Sequence, residues 1–326
     1  MAKIKVGIVG YGNLGRGVER AIVASENHEL VRIFSKRPGL SSPLNSKFEL
    51  TENLEKYAGK IDILFLCGGS YSDIEVIGPR AIKLFNTVDS FDTHAKLDKY
   101  ITDLDKLAKQ SEKIAVSACG WDPGLFSLMR LVFNAVSPAN SPANTFWGKG
   151  VSQGHSDAIR RIEGVKNAIQ YTVPNEKEVK NCTTKVNYVP ENSNKHFREC
   201  YVVLEEGADA NKVKEEIVNM PNYFKGYKTS VKFVSEEKLK KMQEKMYHRG
   251  EIIKYYPSAL SENNSRLKFT LDLDSNPSFT AEMMVCCSNA IVNFKKEKKY
   301  GAYSIFDIPP IALSLENRNE LIKKYL

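Results

Sequence analysis

Three glycines near the start of the chain have the spacing that a phosphate-binding turn requires. Gly10, Gly12 and Gly15 lie in GYGNLGRG and form the pattern GxGxxG. In this pattern the first glycine allows a tight turn, the second lets the backbone approach a pyrophosphate, and the third lets a helix pack against the preceding strand. The free N–H groups at the start of that helix then face the phosphates. The spacing predicts a dinucleotide site with contacts from Gly10, Tyr11, Gly12, Asn13, Leu14 and Gly15.

The end of the second predicted strand carries cations where an acid would recognise an unmodified ribose. NAD-binding domains usually place Asp or Glu about 20 residues after the glycines. This chain has Ser35, Lys36 and Arg37 there. A hydroxyl and two cations suit a 2′-phosphate, so the sequence predicts NADP as the cofactor. A solvated basic turn is the alternative interpretation.

Two aspartates follow later predicted strands. Asp89 ends the strand in TVDSFD, and Asp122 follows another strand in CGWDPG. Ligands of a doubly wound sheet collect beyond the carboxyl ends of its strands, so both side chains are candidates for chemistry. Asp122 also suits the β-turn of WDPG, and we assign Asp92 and His94 to local structure. Further contacts with the cofactor are expected from Gly68, Gly69, Ser70, Ser72, Ser90, Phe91 and Gly120.

The elements that must position these residues change in type after Pro123. Before it, short apolar runs such as IDILFLC alternate with helical patterns, which predicts a Rossmann-type doubly wound parallel sheet. After it, strands with period-two alternation such as RLKFTLDLD are separated by helices. This pattern predicts an α+β second domain with a mostly antiparallel sheet, so the fold class is α/β with an added α+β domain.

Composition and charge favour a soluble enzyme. The 326 residues suffice for two domains with their own cores. We expect no membrane span, because no apolar run is long enough, and no signal peptide, because the first strand begins so early. The net charge of +8 lies largely in mixed-charge helices, so we expect no nucleic-acid partner. The six cysteines show no metal-ligand spacing, which predicts reduced thiols, no metal and a cytoplasmic location.

Several motifs together resemble the meso-diaminopimelate D-dehydrogenase family. They are GYGNLGRG, TVDSFDTH, CGWDPGLFS, FWGKGVSQGHSDAIRRI, NAIQYTVP and LDSNPSFTAE. The resemblance implies a homodimeric NADP-dependent enzyme that oxidatively deaminates the D-centre of meso-2,6-diaminopimelate to L-2-amino-6-oxopimelate and ammonia, reversibly, on the route to lysine. It implies an NADP-binding domain at 1–120 to which residues 302–326 return, and a substrate-binding and dimerisation domain at 121–301. One departure is SKR at 35–37 in place of SRR, which keeps a cation at the central position.

The resemblance also implies roles at the two heads of this dicarboxylate diamine. Asp89 and Asp122 would lie at the reactive amino group, where a carboxylate can orient the ammonium and accept a proton. Which of the two acts as the base stays open. At the distal head Arg198 offers a bidentate fork to the carboxylate. The remaining substrate contacts that the resemblance implies are Thr172, His248 and Asn276 at the distal head, and Trp121, Trp147, Gln153, Gly154 and Asp157 around the reactive head.

Other functions share parts of this pattern. Another NADP-dependent reductase of a small dicarboxylate would keep both domains, whereas a non-enzymatic NADP sensor would need only the first. A cysteine-based aldehyde dehydrogenase would use Cys119, although no base lies near it in the sequence. A dihydrodipicolinate reductase would have a related cofactor domain, but its His-His motif is absent from the chain.

Overall fold

Two compact units make up the chain. The computed structural model describes residues 3–69, 73–137, 142–244, 247–259 and 262–326. The first unit is Met1–Leu128 with Pro277–Leu326, and the second unit is Met129–Asn276. The boundaries expected from the sequence lay at 120/121 and 301/302, so the main difference is the helix that follows Asn276.

The described residues form fourteen strands and ten α-helices. The strands are Ile4–Val9 (β1), His28–Ser35 (β2), Phe48–Leu50 (β3), Ile63–Leu66 (β4), Asn86–Asp89 (β5), Ile114–Val116 (β6), Asn144–Trp147 (β7), Gly150–Val151 (β8), Val165–Pro174 (β9), His196–Leu204 (β10), Lys228–Phe233 (β11), His248–Pro257 (β12), Asn264–Leu273 (β13) and Gly301–Tyr303 (β14). The helices are Asn13–Ala24 (α1), Glu75–Ala81 (α2), Leu97–Gln110 (α3), Leu125–Ala135 (α4), Gln153–Arg160 (α5), Glu176–Thr184 (α6), Ala210–Asn219 (α7), Glu236–Gln243 (α8), Asn276–Lys296 (α9) and Arg318–Tyr325 (α10).

The first unit contains a parallel sheet with the strand order β14-β6-β5-β4-β1-β2-β3. Every neighbouring pair in this sheet is parallel. The order 3-2-1-4-5-6 is that of the Rossmann fold, with β14 added outside β6. The order reverses between β1 and β4, which is where such sheets bind dinucleotides. The predicted doubly wound sheet is therefore confirmed.

Helices cover both faces of this sheet because its strands are apolar on both sides. Val6 and Ile8 of β1 belong to one core together with side chains of α1 and α9. Leu64 and Leu66 of β4 belong to a second core with Ala81 of α2. The covered faces hold the loops after β1, β4, β5 and β6 at one end of the sheet.

Helix α9 packs against α1 in the first unit. A Cβ atom at Gly17 of α1 would lie 3.0 Å from both the Ala281 Cβ and the Pro277 carbonyl oxygen, so glycine allows the two helices to pack closely without a shift. Met284 and Ile291 of α9 are buried in the same core. The apolar side chains of α9 therefore have partners in this core.

The second unit contains two smaller sheets, ordered β11-β10-β9-β8 and β13-β12-β7. Only β10 and β11 pair in parallel among the described strands of this unit, so the predicted mostly antiparallel α+β arrangement is confirmed. Ala168 of β9 and Val202 of β10 share a core with Ile159 of α5 and Ile217 of α7. No helix in the described part of the chain is long and apolar enough to cross a membrane.

Candidate active site

The glycine-rich turn between β1 and α1 has space for a phosphate at one glycine and none at the other two. Gly10 has φ of +93°, and its N–H donates to the Phe34 carbonyl oxygen. A Cβ atom at Gly15 would lie 2.1 Å from the Gly10 oxygen, so α1 begins against the turn. A Cβ atom at Gly12 would have no described atom within 4 Å. Gly12 precedes a helix with no side-chain cap and no acidic residue in its first turn among the described residues. This arrangement fits a pyrophosphate.

The cations at the end of β2 differ in their pairing. The Lys36 ammonium lies 2.7 Å from the carboxylate of Asp73, in the segment after β4. This hydrogen bond lowers the pKa of Asp73. The Ser35 hydroxyl oxygen accepts the Arg37 N–H at 3.0 Å. Among the described residues Arg37 forms no ion pair, and its side chain is exposed, so it can meet a 2′-phosphate directly.

Two expected cofactor residues turn their side chains into the core. The Tyr11 hydroxyl donates to the buried Glu19 carboxylate at 2.6 Å. Phe91 stacks on Tyr100 with ring centroids 4.3 Å apart. Only the backbone of Tyr11 and Phe91 is left to contact a dinucleotide. The other expected positions are the start of α1 (Asn13, Leu14), the loop after β4 (Gly68, Gly69), the half-buried Ser90 and the loop after β6 (Gly120), whereas Ser70 and Ser72 lie outside the described residues.

Asp89 is an internal hub of the first unit. Its carboxylate is fully buried and accepts hydrogen bonds from the Ser117 hydroxyl (2.8 Å), the Tyr100 hydroxyl (3.1 Å) and the N–H groups of Phe91 (3.0 Å) and Ala118 (3.3 Å). Burial raises the pKa of Asp89, and these hydrogen bonds oppose the shift. The carboxylate has no exposed oxygen with which to reach a substrate. This corrects the expectation that Asp89 contacts the reactive amino group.

The carboxylates next to this hub are more accessible. Asp92 is exposed on the loop after β5, and Asp122 is half-buried on the loop after β6. The Asp122 loop is tight, because a Cβ atom at Gly124 would lie 1.8 Å from the Gly120 oxygen. Trp121 is buried and meets Phe126 edge-on at 5.1 Å. The exposure of Asp92 contrasts with the local structural role expected from its sequence context.

Strand register in the second unit brings three of the residues expected at the distal head together. Thr172 of β9 pairs with Gly150 of β8 on one side and with Arg198 of β10 on the other. The Arg198 Nη1 donates to the Thr172 Oγ1 at 2.8 Å. A Cβ atom at Gly150 would lie 2.4 Å from the His248 Cγ, so the imidazole of β12 rests against that glycine. These four residues form one continuous row, which we call the arginine row.

Arg198 is a buried cation without a buried anion. It is 8% exposed, and its Nε has no hydrogen-bond partner among the described residues. No carboxylate in the described part of the chain pairs with it, and burial lowers the pKa of its guanidinium. Lone buried charges are costly and are normally paired. The arginine row is therefore built to receive an anion from outside the chain.

The remaining residues expected around the reactive head lie on different elements of the second unit. Trp147 of β7 stacks on His196 with ring centroids 5.2 Å apart, and the Trp147 backbone N–H donates to the His196 Nε2 at 2.8 Å. Gln153 and Gly154 are exposed at the start of α5. Asp157 of α5 pairs with Arg160. Half-buried Asn276, expected at the distal head, is the first residue of α9.

Sequence analysis missed three residues next to the arginine row. The charge of Arg198 reaches His155, whose burial lowers its pKa to about 4, and His196, whose burial lowers its pKa to about 3. Both rings are therefore neutral near pH 7. The Tyr227 ring lies under the Arg198 guanidinium, with 4.4 Å between the Cζ atom and the ring centroid. Histidine in GHSD and KHFR was a visible signal, whereas nothing in the sequence pattern marks Tyr227.

Cys119 does not have the surroundings of a thiolate nucleophile. It is fully buried, and burial raises its pKa well above that of a free thiol. The aldehyde dehydrogenase alternative therefore lacks its nucleophile. In the described part of the chain, no group of three or more His, Cys, Asp or Glu side chains is arranged to hold a metal ion.

The chain is similar to several known proteins. Residues 120–275 match the model of the diaminopimelic acid dehydrogenase C-terminal domain. The chain is 46% identical to meso-diaminopimelate D-dehydrogenase of Ureibacillus thermosphaericus, over 100% of both chains. It superposes on C. glutamicum DAP dehydrogenase in complex with DAP with a TM-score of 0.94 and 36% identity, covering 100% of both chains. It superposes on an engineered D-amino acid dehydrogenase bound to NADP+ with a TM-score of 0.91 and 34% identity, again over 100% of both chains.

The full-length identity, the matched domain and the structural likeness confirm the resemblance read from the motifs. The match extends well beyond the Rossmann sheet, a fold that many unrelated enzymes share. The chain belongs to the meso-diaminopimelate D-dehydrogenase family.

Proposed function

We propose that this chain oxidatively deaminates the D-centre of meso-2,6-diaminopimelate with NADP, giving L-2-amino-6-oxopimelate, ammonia and NADPH. The observation that carries the proposal is the arginine row, in which a buried guanidinium lacks a counter-charge. A dicarboxylate substrate supplies that charge with the carboxylate that does not react. A sensor of NADP alone would have no use for it.

The first unit has the residues to hold NADP. The open backbone at Gly12 and the start of α1 would hold the pyrophosphate, and Ser35, Lys36 and Arg37 would hold the 2′-phosphate. Lys36 would have to share its charge between Asp73 and the phosphate, which leaves Arg37 as the principal contact. Bound NADP supplies the hydride acceptor for the reacting carbon.

We assign the reactive amino group to Asp122 and Asp92. Both carboxylates lie on loops at the carboxyl ends of strands, where they can orient an ammonium and take up a proton. Asp89 supports both loops, because it accepts the N–H groups of Phe91 and Ala118. Gln153 and Gly154 at the start of α5 offer donors to the carboxylate of the reacting centre.

We assign the distal carboxylate to Arg198, with Thr172 and His248 beside it. The Arg198 Nη1 is already held by Thr172, so the Nε side is left for the carboxylate. The His248 Nδ1 donates to the Arg249 carbonyl oxygen at 2.9 Å, which fixes the orientation of the ring beside Thr172 and Arg198. When the distal carboxylate is bound, the L-centre of the substrate is held in place and the D-centre is the one that reacts.

The test is a spectrophotometric assay of the purified protein. We expect NADPH formation and equimolar ammonia from meso-diaminopimelate with NADP, and much slower turnover with NAD. The LL isomer is the matched control, because it offers the same charges with no D-centre. Equal turnover of the LL and meso isomers, or no turnover of either, would contradict the proposal.

We also propose a cytoplasmic homodimer formed through the second unit. Apolar side chains are exposed along the end of α4, with Leu131 at 48% and Val136 at 58%. Asn134 of α4 accepts a hydrogen bond from Lys254 of β12, so α4 lies on the sheet whose edge strand is β13. An exposed apolar surface of this kind is typical of an interface. All six cysteines are unpaired thiols, as the reducing cytoplasm requires.

A further inference from the structure

Tyr227 lies against one face of the Arg198 guanidinium. Thr172 holds the Nη1 edge of the guanidinium in the plane of the sheet row. The Tyr227 ring covers the flat face, with 4.4 Å from the Arg198 Cζ to the ring centroid. The Nε edge stays unpartnered among the described residues. One edge and one face of the guanidinium thus have partners, and the buried Nε is the donor left for an incoming carboxylate.

The turn before β11 delivers Tyr227 to this place. Asn222 and Gly226 both have positive φ, which folds the segment back on itself. Phe224 is fully buried in the core under the four-stranded sheet and anchors the turn. The Tyr227 carbonyl oxygen accepts the Thr229 hydroxyl at 3.2 Å, and Thr229 of β11 pairs in register with Arg198.

We propose that Tyr227 is a specificity-determining positioning residue, whose ring holds the Arg198 guanidinium so that its Nε edge meets the distal carboxylate of the substrate. A guanidinium over an aromatic face is attracted by the ring quadrupole. In a site without acidic side chains among the described residues, this ring is the group that keeps the cation in one plane before substrate arrives. The inference rests on the proposed function, because it concerns the same distal head.

The test compares meso-diaminopimelate, which has a distal carboxylate, with D-norleucine, which has none. Both are assayed with the wild type and with two variants of Tyr227. Tyr227→Leu removes the ring, whereas Tyr227→Phe keeps the ring and removes only the hydroxyl. We expect Tyr227→Leu to lower kcat/KM for meso-diaminopimelate about tenfold, mainly through KM, from a lost cation–π contact. Turnover of D-norleucine, which has no distal carboxylate, should stay within about twofold. Tyr227→Phe keeps the ring and loses the hydroxyl that hydrogen-bonds Arg198, so its loss with meso-diaminopimelate should be smaller than that of Tyr227→Leu.

Tyr201→Leu is the matched control. Tyr201 lies on the opposite face of β10 and carries Lys232 over its ring at 5.5 Å, so its replacement removes the same kind of contact away from Arg198. The ratio of the two substrates should not change in this variant. If Tyr227→Leu does not fold, Tyr227→Met provides a longer, unbranched and adaptable side chain and tests the same loss of the ring.

The outcomes separate this inference from the proposed function. An inactive wild type would overturn the proposed function. An active wild type whose Tyr227→Leu variant keeps the same substrate ratio, or loses both activities equally, would overturn the role of Tyr227 alone.

Discussion

Replacing Arg198 with Met is expected to weaken catalysis and to stabilise the protein. With substrate bound, the guanidinium would make two charge-assisted hydrogen bonds to the distal carboxylate. Each is worth about 1.5–3 kcal/mol, so their loss corresponds to a fall in kcat/KM of roughly 10²- to 10³-fold or more. D-norleucine never uses this contact, and its turnover should fall little or rise.

The stability effect has the opposite sign because the free protein holds Arg198 without a counter-charge. Its hydrogen bond to Thr172 contributes about 1 kcal/mol, and its contact with Tyr227 about 1–2 kcal/mol. Burial of the cation costs several kcal/mol, more than these contacts return. We therefore expect Arg198→Met to raise the free energy of unfolding by about 1–2 kcal/mol. This figure already includes the loss of the hydrogen bond to Thr172.

The assays are steady-state kinetics with both substrates and urea unfolding of the protein without ligands. Arg198→Lys is the control, because it keeps the charge and loses the fork, so it should retain part of the preference for meso-diaminopimelate. An Arg198→Met variant with an unchanged substrate preference would refute the assignment of the distal head. A variant destabilised by several kcal/mol would refute the argument that the cation is under-compensated.

Three further predictions concern other parts of the chain. Arg37→Ala should weaken NADP binding roughly tenfold or more and leave NAD binding nearly unchanged, as measured by fluorescence titration. Light scattering should give twice the 36.7 kDa of one chain, and Val136→Glu should give single chains. Burial lowers the pKa of His155 to about 4, so unfolding takes up a proton between that pH and about 6.5. Stability should therefore fall by about 3 kcal/mol as pH falls through this window, and urea unfolding of His155→Gln should lack that part of the slope.

The parts of the fold that depend on local chemistry were predictable. The spacing of Gly10 and Gly15 predicts a turn and a close helix, and the structure has both, because each constraint acts within a few residues. The change to period-two alternation after Pro123 likewise predicted the second domain. The boundary at 276/277 was not predictable, because an apolar helical pattern indicates burial and does not specify which unit buries it.

The candidate site was predictable only where a motif or a family resemblance named its residues. Thr172 and Arg198 meet because β9 and β10 pair antiparallel in one particular register, which no local pattern specifies. Tyr227 reaches Arg198 through a parallel pairing and a turn with two positive-φ residues. These long-range pairings decide which polar groups share a site, so sequence patterns alone leave such contacts out.

Asp89 illustrates why the position of a residue at a strand end is not enough to make it reactive. The carboxyl ends of β5 and β6 lie side by side, and the loops after them need their N–H groups satisfied. A carboxylate at the end of β5 accepts from Phe91 on its own loop and from Ala118 on the neighbouring loop. The same interactions that make Asp89 indispensable to these loops remove it from solvent. The proposed chemistry uses Asp92 and Asp122 instead, which the two loops carry, and a substitution at Asp89 should disturb both carboxylates at once.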